Sequence, residues 1–295
     1  MQDRPAAYPN FIAWALLILL TVVWGSSFIL IKKGLTIYSA SQVASIRIIS
    51  ASLFMVPFAF SWIKRIPRKF IGLIFISGLI GSFVPAFLFS TAQTQIDSAV
   101  TGMINSLTPV FVLLIGAVFY RQKITILIAL GLLFAVTGTI LLMFISSDAD
   151  HKFNLFALFV VAATIMYGVN VNILKFNLSE LNAVAISSIS ILLIGPLAAI
   201  QLFTFSDFTY RLSHHEGAVL ALGYLSILGI VGTSLALMLF NILIKRTTPL
   251  FSSSVTYLIP IVAVFWGLID GEKLLFGHYT SMCLIIFGVF IANRK

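Results

Sequence analysis

Apolar residues run along the chain in ten long stretches separated by short polar breaks. The stretches cover roughly 11–31, 41–63, 70–92, 98–119, 124–145, 153–174, 181–203, 217–240, 250–269 and 275–292. A helix needs about 20 apolar residues to cross a bilayer. In hydrocarbon such a segment satisfies its own backbone only as a helix. The pattern therefore predicts an all-α membrane protein with ten transmembrane helices. The seventh stretch is the least regular, because Gly195-Pro196 interrupts it. The longest polar break, Ser206 to Glu216, is too short to form a domain.

The series falls into two halves of five stretches, residues 1–147 and 148–295. Five crossings turn the second half over relative to the first, so two copies of one fold become inverted repeats around a central cavity. The halves echo each other. Gln122-Lys123-Ile124-Thr125 aligns with Glu272-Lys273-Leu274-Leu275, and Gly138 with Gly288. Mid-way through the fourth stretch stands Ser106-Leu107-Thr108-Pro109-Val110-Phe111; mid-way through the ninth stands Tyr257-Leu258-Ile259-Pro260-Ile261-Val262. The prolines match to within one residue of that alignment. Proline-broken helices at corresponding places of two halves point to a substrate path at the bilayer midplane.

Composition narrows the class. The chain is 60% hydrophobic and 9% charged, with a mean hydropathy of +1.10. Soluble domains carry about 25% charge, and the spans leave no room for a soluble catalytic domain. The net charge of +9 does not point to nucleic acid, because the basic residues lie between spans, where they set topology. With both termini cytoplasmic, twelve of the 18 basic residues fall inside, including Lys64, Arg65, Arg68 and Lys69. Five fall outside: Lys32, Lys33, Lys152, Arg211 and Lys273. The expectation is a multi-pass protein of a cell membrane, a bacterial cytoplasmic membrane, with cytoplasmic N- and C-termini. The first stretch is too long for a typical signal-peptide core and lacks a clear cleavage site, so it reads as a retained helix. The lone Cys283 forms no internal disulfide and says nothing about redox compartment.

Pro109 and Pro260 each remove a helical hydrogen bond and free a carbonyl one turn back. Thr101, Asn105, Thr108 and Pro109 fall on one helical face; Ser253, Thr256, Tyr257 and Pro260 do the same in the ninth stretch. A polar cavity between these helices is expected, against the plainer alternative of a packing kink with small polar residues as helix glue. In Trp24-Gly25-Ser26-Ser27-Phe28, Gly25 and Ser26 permit close approach or unwinding, and Trp24 either lines the path or anchors at the interface. Trp24, Ser26 and Ser27 therefore join the candidate cavity residues. Tyr167 and Asn170 share a face and join them too. Asn172 and Asn241 are further polar positions of a kind that commonly joins helices.

Arg47 is the one clear intramembrane charge, a cost of about 2.5–3.5 kcal/mol at a helix centre. Three roles stand open: snorkelling to the outer headgroups, a structural pair, or contact with an anionic substrate group. Asp97 is its candidate partner by depth, and is more simply the N-cap of the fourth helix. No acid sits deep in a span, so the sequence gives no specific support for ion coupling. No HExxH motif, Cys/His cluster or buried acid pair appears, and no metal or cofactor is expected.

Trp24-Gly25-Ser26-Ser27-Phe28 resembles the signature that opens EamA-type proteins of the drug/metabolite transporter superfamily. Arg47 matches an arginine often seen in their second helix. The runs Asn105 to Lys123, and Pro260 through Gly271-Glu272-Lys273-Leu274 to Gly288-Val289, resemble their repeated pattern. The resemblance covers nearly the whole chain. It implies ten helices in two inverted repeats, a central cavity, and export or exchange of small metabolites or amino acids. Where the first repeat often has glutamate, this chain has Gln122, and a structural role at a helix end is expected for that position. The expected function is a carrier, not an enzyme. It moves small metabolites, amino acids or related solutes outward by alternating access. Its partners are a small-molecule substrate and the lipid bilayer, not nucleic acid. The alternative is an integral-membrane enzyme acting on lipids, which needs a catalytic cluster near one face.

Overall fold

The computed structural model describes residues 11–121, 125–145, 154–247, 251–252 and 255–292, and among them it is helical with no strand. We number the long helices α1 (Phe11–Leu35), α2 (Ala40–Ile63), α3 (Arg68–Ala92), α4 (Ser98–Tyr120), α5 (Ile126–Ile145), α6 (Ala157–Phe176), α7 (Ala183–Thr204), α8 (Ala218–Arg246), α9 (Val255–Ile269) and α10 (Phe276–Ala292). Seven of them, α1 to α4 and α6 to α8, are long and apolar enough to cross a membrane. The apolar helical stretches Ile126–Leu142, Val255–Ile269 and Phe276–Gly288 are shorter. A short helix, Phe208–His214, fills the longest polar break between α7 and α8. Large apolar side chains such as Phe60, Phe119, Leu133, Phe203 and Phe265 are exposed on the perimeter. In water this would be a liability; for a multi-pass membrane protein it is the lipid-facing surface.

The helices start and bend for local reasons. Ser39 opens α2 with a capping box: its hydroxyl accepts from the Gln42 N–H, and the Gln42 side chain accepts from the Ser39 N–H. Asn182 opens α7 by accepting from the Val184 and Ala185 N–H groups. Pro196 does not break α7, which runs unbroken from Ala183 to Thr204. In α4 the helix is interrupted between Asn105 and Thr108. There the Asn105 carbonyl, freed by Pro109, accepts instead from the Thr108 hydroxyl at 2.8 Å. α9 continues through Pro260. Two π-turns interrupt the ladder elsewhere: Leu79–Phe83 in α3 and Ile230–Leu235 in α8. Such turns widen a helix and are frequent at functional sites.

Contacts repeat between the halves. α2 packs on α7, and α5 on α10. α1 packs on α8 and α9, just as α6 packs on α3 and α4. The close crossings use glycine at matched places. A Cβ on Gly25 of α1 would sit 2.5 Å from Val262 of α9; one on Gly168 of α6 would sit 2.8 Å from the Phe111 backbone of α4. A Cβ on Gly138 would lie 2.8 Å from Ile285, and one on Gly288 2.5 Å from the Ala135 nitrogen. The Gly138/Gly288 echo in the sequence is therefore the α5–α10 crossing.

Candidate substrate cavity

Where α1, α2, α3, α4, α6, α8 and α9 converge, they enclose a cavity of about 120 Å³, room for several waters or one small solute. Of the candidates, Trp24, Ser27, Asn105, Tyr167, Asn170, Thr256 and Arg47 line it. Ser26, Thr101, Pro109, Tyr257, Pro260 and Asp97 lie outside the lining. The Ser26 hydroxyl faces α9, accepting from Trp266 Nε1 at 2.8 Å. Thr101 donates back to the Asp97 carbonyl, and Tyr257 packs on the main apolar core. Ser253 falls outside the described residues.

Each π-turn supplies one wall. In α8, the Gly232 carbonyl accepts from Trp24 Nε1 at 3.0 Å. Thr233 donates to the Leu228 carbonyl at 3.2 Å and accepts from Arg47 Nε at 2.7 Å. Arg47 thus turns into the cavity instead of pairing with Asp97. In α3, the Ser77 hydroxyl donates to Asn170 Oδ1 at 2.6 Å, and Gly81 lies so close to the Asn170 amide that a side chain there would push it aside. Asn172 and Asn241 join helices: the first donates to the Val112 carbonyl at 2.9 Å, the second to the Ser187 hydroxyl at 2.7 Å. Phe28 and Phe89 meet edge to face with centroids 5.8 Å apart, and Phe89 stacks on Tyr167 at 5.9 Å; all three rings line the cavity.

Above this aromatic layer a polar clamp ties the halves together. Lys32 Nζ lies 2.8 Å from both Asp270 Oδ2 and Glu272 Oε1, and Lys33 pairs with Asp270. Glu272 also takes the start of α4. It accepts from the Ser98 N–H at 3.0 Å, the Ser98 hydroxyl at 2.6 Å and the Ala99 N–H at 3.0 Å. Asp97 occupies the N-cap position, but its side chain makes no capping bond. The anion at this helix N-terminus comes from the other half of the chain, where it meets both orphan N–H groups and the helix dipole. Gly271, with φ of +83°, makes the turn that delivers Glu272, a conformation glycine enters without strain. Burial pushes the Glu272 carboxyl up, but hydrogen bonds from Lys32, Ser98 and Ala99 outweigh it and hold the group below its ordinary value. Lys32 and Lys33 hold Asp270 low in the same way. Gln122, the first-half counterpart of Glu272 in sequence, lies outside the described residues.

Gly81, Gly232 and Thr233 were not singled out from the sequence, and Glu272 entered only as the counterpart of Gln122 in the repeated pattern. A signal for these three exists. Gly78-Leu79-Ile80-Gly81-Ser82 in α3 is echoed by Gly229-Ile230-Val231-Gly232-Thr233 in α8, and Trp24-Gly25 in α1 by Tyr167-Gly168 in α6.

Two segments, residues 12–144 and 154–294, each match the model of the EamA-like transporter family. The chain belongs to this family. A protein of Archaeoglobus fulgidus named an uncharacterized transporter is 26% identical over 96% of this chain and 99% of its own length. The uncharacterized inner membrane transporter YedA of Escherichia coli K12 is 22% identical over 93% of this chain and 88% of its own. A solved crystal structure aligns over 95% of this chain and 96% of its own, with a TM-score of 0.66 and 16% identity, and shares the fold. The chain is therefore a multi-pass EamA-family membrane transporter.

Proposed function

We propose that this EamA-family protein moves small metabolites outward across the cytoplasmic membrane by alternating access, binding them in the central cavity. The observation that carries the reading is the cavity's construction. Both halves build it, residues 1–147 and 148–295, from the interrupted helices α3, α4 and α8. In transporters, such interrupted helices at a repeat interface hold the substrate, and rocking of one repeat against the other exposes it in turn to each side. The clamp of Lys32, Lys33, Asp270 and Glu272 supports this reading, because it joins the halves at one end of the cavity through bonds that can open together. The basic-residue count supports cytoplasmic termini, with the clamp then on the outer face. Outward transport is the direction that the family resemblance favours.

The test is flux into liposomes from purified protein. Saturable, solute-selective flux that competes among solutes is expected; flux that never saturates would indicate a channel. Accessibility labelling completes it: Lys64 and Lys245 react from the same side, and labelling from opposite sides defeats the inverted arrangement.

A further inference from the structure

We propose that the loop between α2 and α3, Lys64 to Lys69, binds the phosphate headgroup of an anionic phospholipid at the membrane face opposite the clamp. The inference depends neither on the reading of the cavity nor on which side of the membrane the loop faces.

Uncompensated charge carries it first. Lys64-Arg65-Ile66-Pro67-Arg68-Lys69 holds four cations in six residues. All four are exposed, and their side chains form no hydrogen bond or ion pair with a described residue. At the other end of the bundle the cations are matched instead. Lys32 and Lys33 meet Asp270 and Glu272, and Arg211 meets Asp207 at 2.9 Å. Among the described residues, Glu180 is the one acid at the end that holds the loop, and it forms no ion pair with these cations. Arg68 and Lys69 open α3, an end where the helix dipole disfavours positive charge.

Placement identifies where the anion comes from. Leu53, Phe60 and Ile63 are exposed apolar side chains of α2, and Lys64 follows the last of them directly. At about 1.5 Å per helical residue, the cations lie within a turn or two of the hydrocarbon edge, the depth of lipid phosphates. Aromatic rings hold two of them there. Arg65 lies over the Trp62 ring, 5.4 Å from its centroid, and Lys69 over the Phe70 ring at 4.7 Å. The loop is also pinned. Ile66 is buried in an apolar cluster with Ile74, Leu174 and Leu178, and Trp62 and Phe70 pack against that cluster. Setting membrane topology needs basic residues; it does not need them fixed in place. Fixed, unmatched cations beside a lipid-facing helix suit a headgroup phosphate, which arginine grips through two donors and lysine attracts as a point charge.

The experiment uses the full-length protein, purified in neutral detergent and stripped of lipid. It is titrated with phosphatidylglycerol, cardiolipin or phosphatidylcholine, and separately with inorganic phosphate, and the shift in melting temperature reads binding. Each anionic lipid should bind at least about tenfold more tightly than phosphatidylcholine, and inorganic phosphate should not protect at the same concentration. Arg65→Gln/Lys69→Gln should lose that preference. Lys175→Gln/Arg246→Gln removes as much charge from the same end of the bundle and should keep it. Unliganded melting and monodispersity show that each variant folds. A salt titration of the unaltered protein needs no variant: between about 0.05 and about 0.5 M salt the preference should shrink several-fold, because exposed cations are screened. Equal binding of phosphatidylcholine and phosphatidylglycerol overturns the proposal. So does equal loss in the two double variants, which reduces the effect to the overall charge of that face. Full retention by Arg65→Gln/Lys69→Gln, indifference to salt, or equal protection by inorganic phosphate overturns it as well.

Discussion

The α2–α8 and α7–α3 crossings are built alike and equipped differently. Gly229 of α8 packs against the Arg47 carbonyl of α2, and Gly78 of α3 packs against the Ser190 carbonyl of α7. Each glycine begins a segment that leads into a π-turn. Yet Arg47 lines the cavity and donates from Nε to Thr233, whereas Ser190 turns its hydroxyl back to the Ser187 carbonyl at 3.0 Å and stays buried. The scaffold is duplicated; the charge is not. The clamp of Lys32, Lys33, Asp270 and Glu272 shows the same division, because its carboxylates come from the second half and its lysines from the first. Duplicated backbone geometry gives a cavity between two equal walls. Unequal side chains make the two walls of that cavity chemically different.

The largest effect tests the clamp. Glu272→Ala removes the acceptor for three α4 donors and for Lys32, and should cost about 3–5 kcal/mol, the range for breaking a buried charge pair. A thermal melt in detergent reads it, and an unchanged melt would mean that the asymmetry is decorative. Acidity probes the same carboxylates. The folded-state values of Glu272 and Asp270 are depressed, so their contribution is complete above the ordinary values of 4.5 and 3.8. It is lost as pH falls through the lower folded-state values. Melting temperature should be insensitive to these groups near neutrality and drop at more acid pH, by less in Glu272→Gln.

The next test addresses the shared scaffold. Gly78→Ala places a methyl 2.7 Å from the Ser190 carbonyl, and Gly229→Ala presses one on the Arg47 carbonyl. Each should destabilise by about 1–3 kcal/mol through overpacking. Equal losses support equivalent crossings, and tolerance at one site alone breaks the comparison. Smaller again is the polar difference: Thr233→Val should cost about 1.5 kcal/mol by removing a charged hydrogen bond, and Ser190→Ala about 0.5 kcal/mol. Equally small is Trp24→Phe, which loses the bond to the Gly232 carbonyl for about 0.5 kcal/mol; its counterpart Tyr167→Phe should be closer to neutral in the same melt.

Much of this was legible beforehand. Apolar run length announces membrane helices because lipid leaves a backbone no other way to satisfy itself. The echoes of Gly138 in Gly288, and of Pro109 in Pro260, announce a duplicated fold because close crossings and freed carbonyls need those residue types. The fate of individual polar side chains was not legible. Thr101 and Asn105 are one turn apart on the same helix, yet one bonds its own backbone and the other lines the cavity. Tyr257 carries as much polar signal as Tyr167, and both pack against the main apolar core, yet only Tyr167 lines the cavity.

By itself, the sequence determined the class, the helices and the doubling, since these follow from periodicity and internal echoes over many residues, and its motifs carried the resemblance to the family. Tertiary structure alone decided that Arg47 points inward to Thr233, that Glu272 caps a helix in the opposite half, and that the Asn105 side-chain oxygen is buried without a hydrogen-bond partner among the described residues. Those facts depend on which surfaces meet across distant parts of the chain, and a linear pattern does not encode the rotation at which two helices cross.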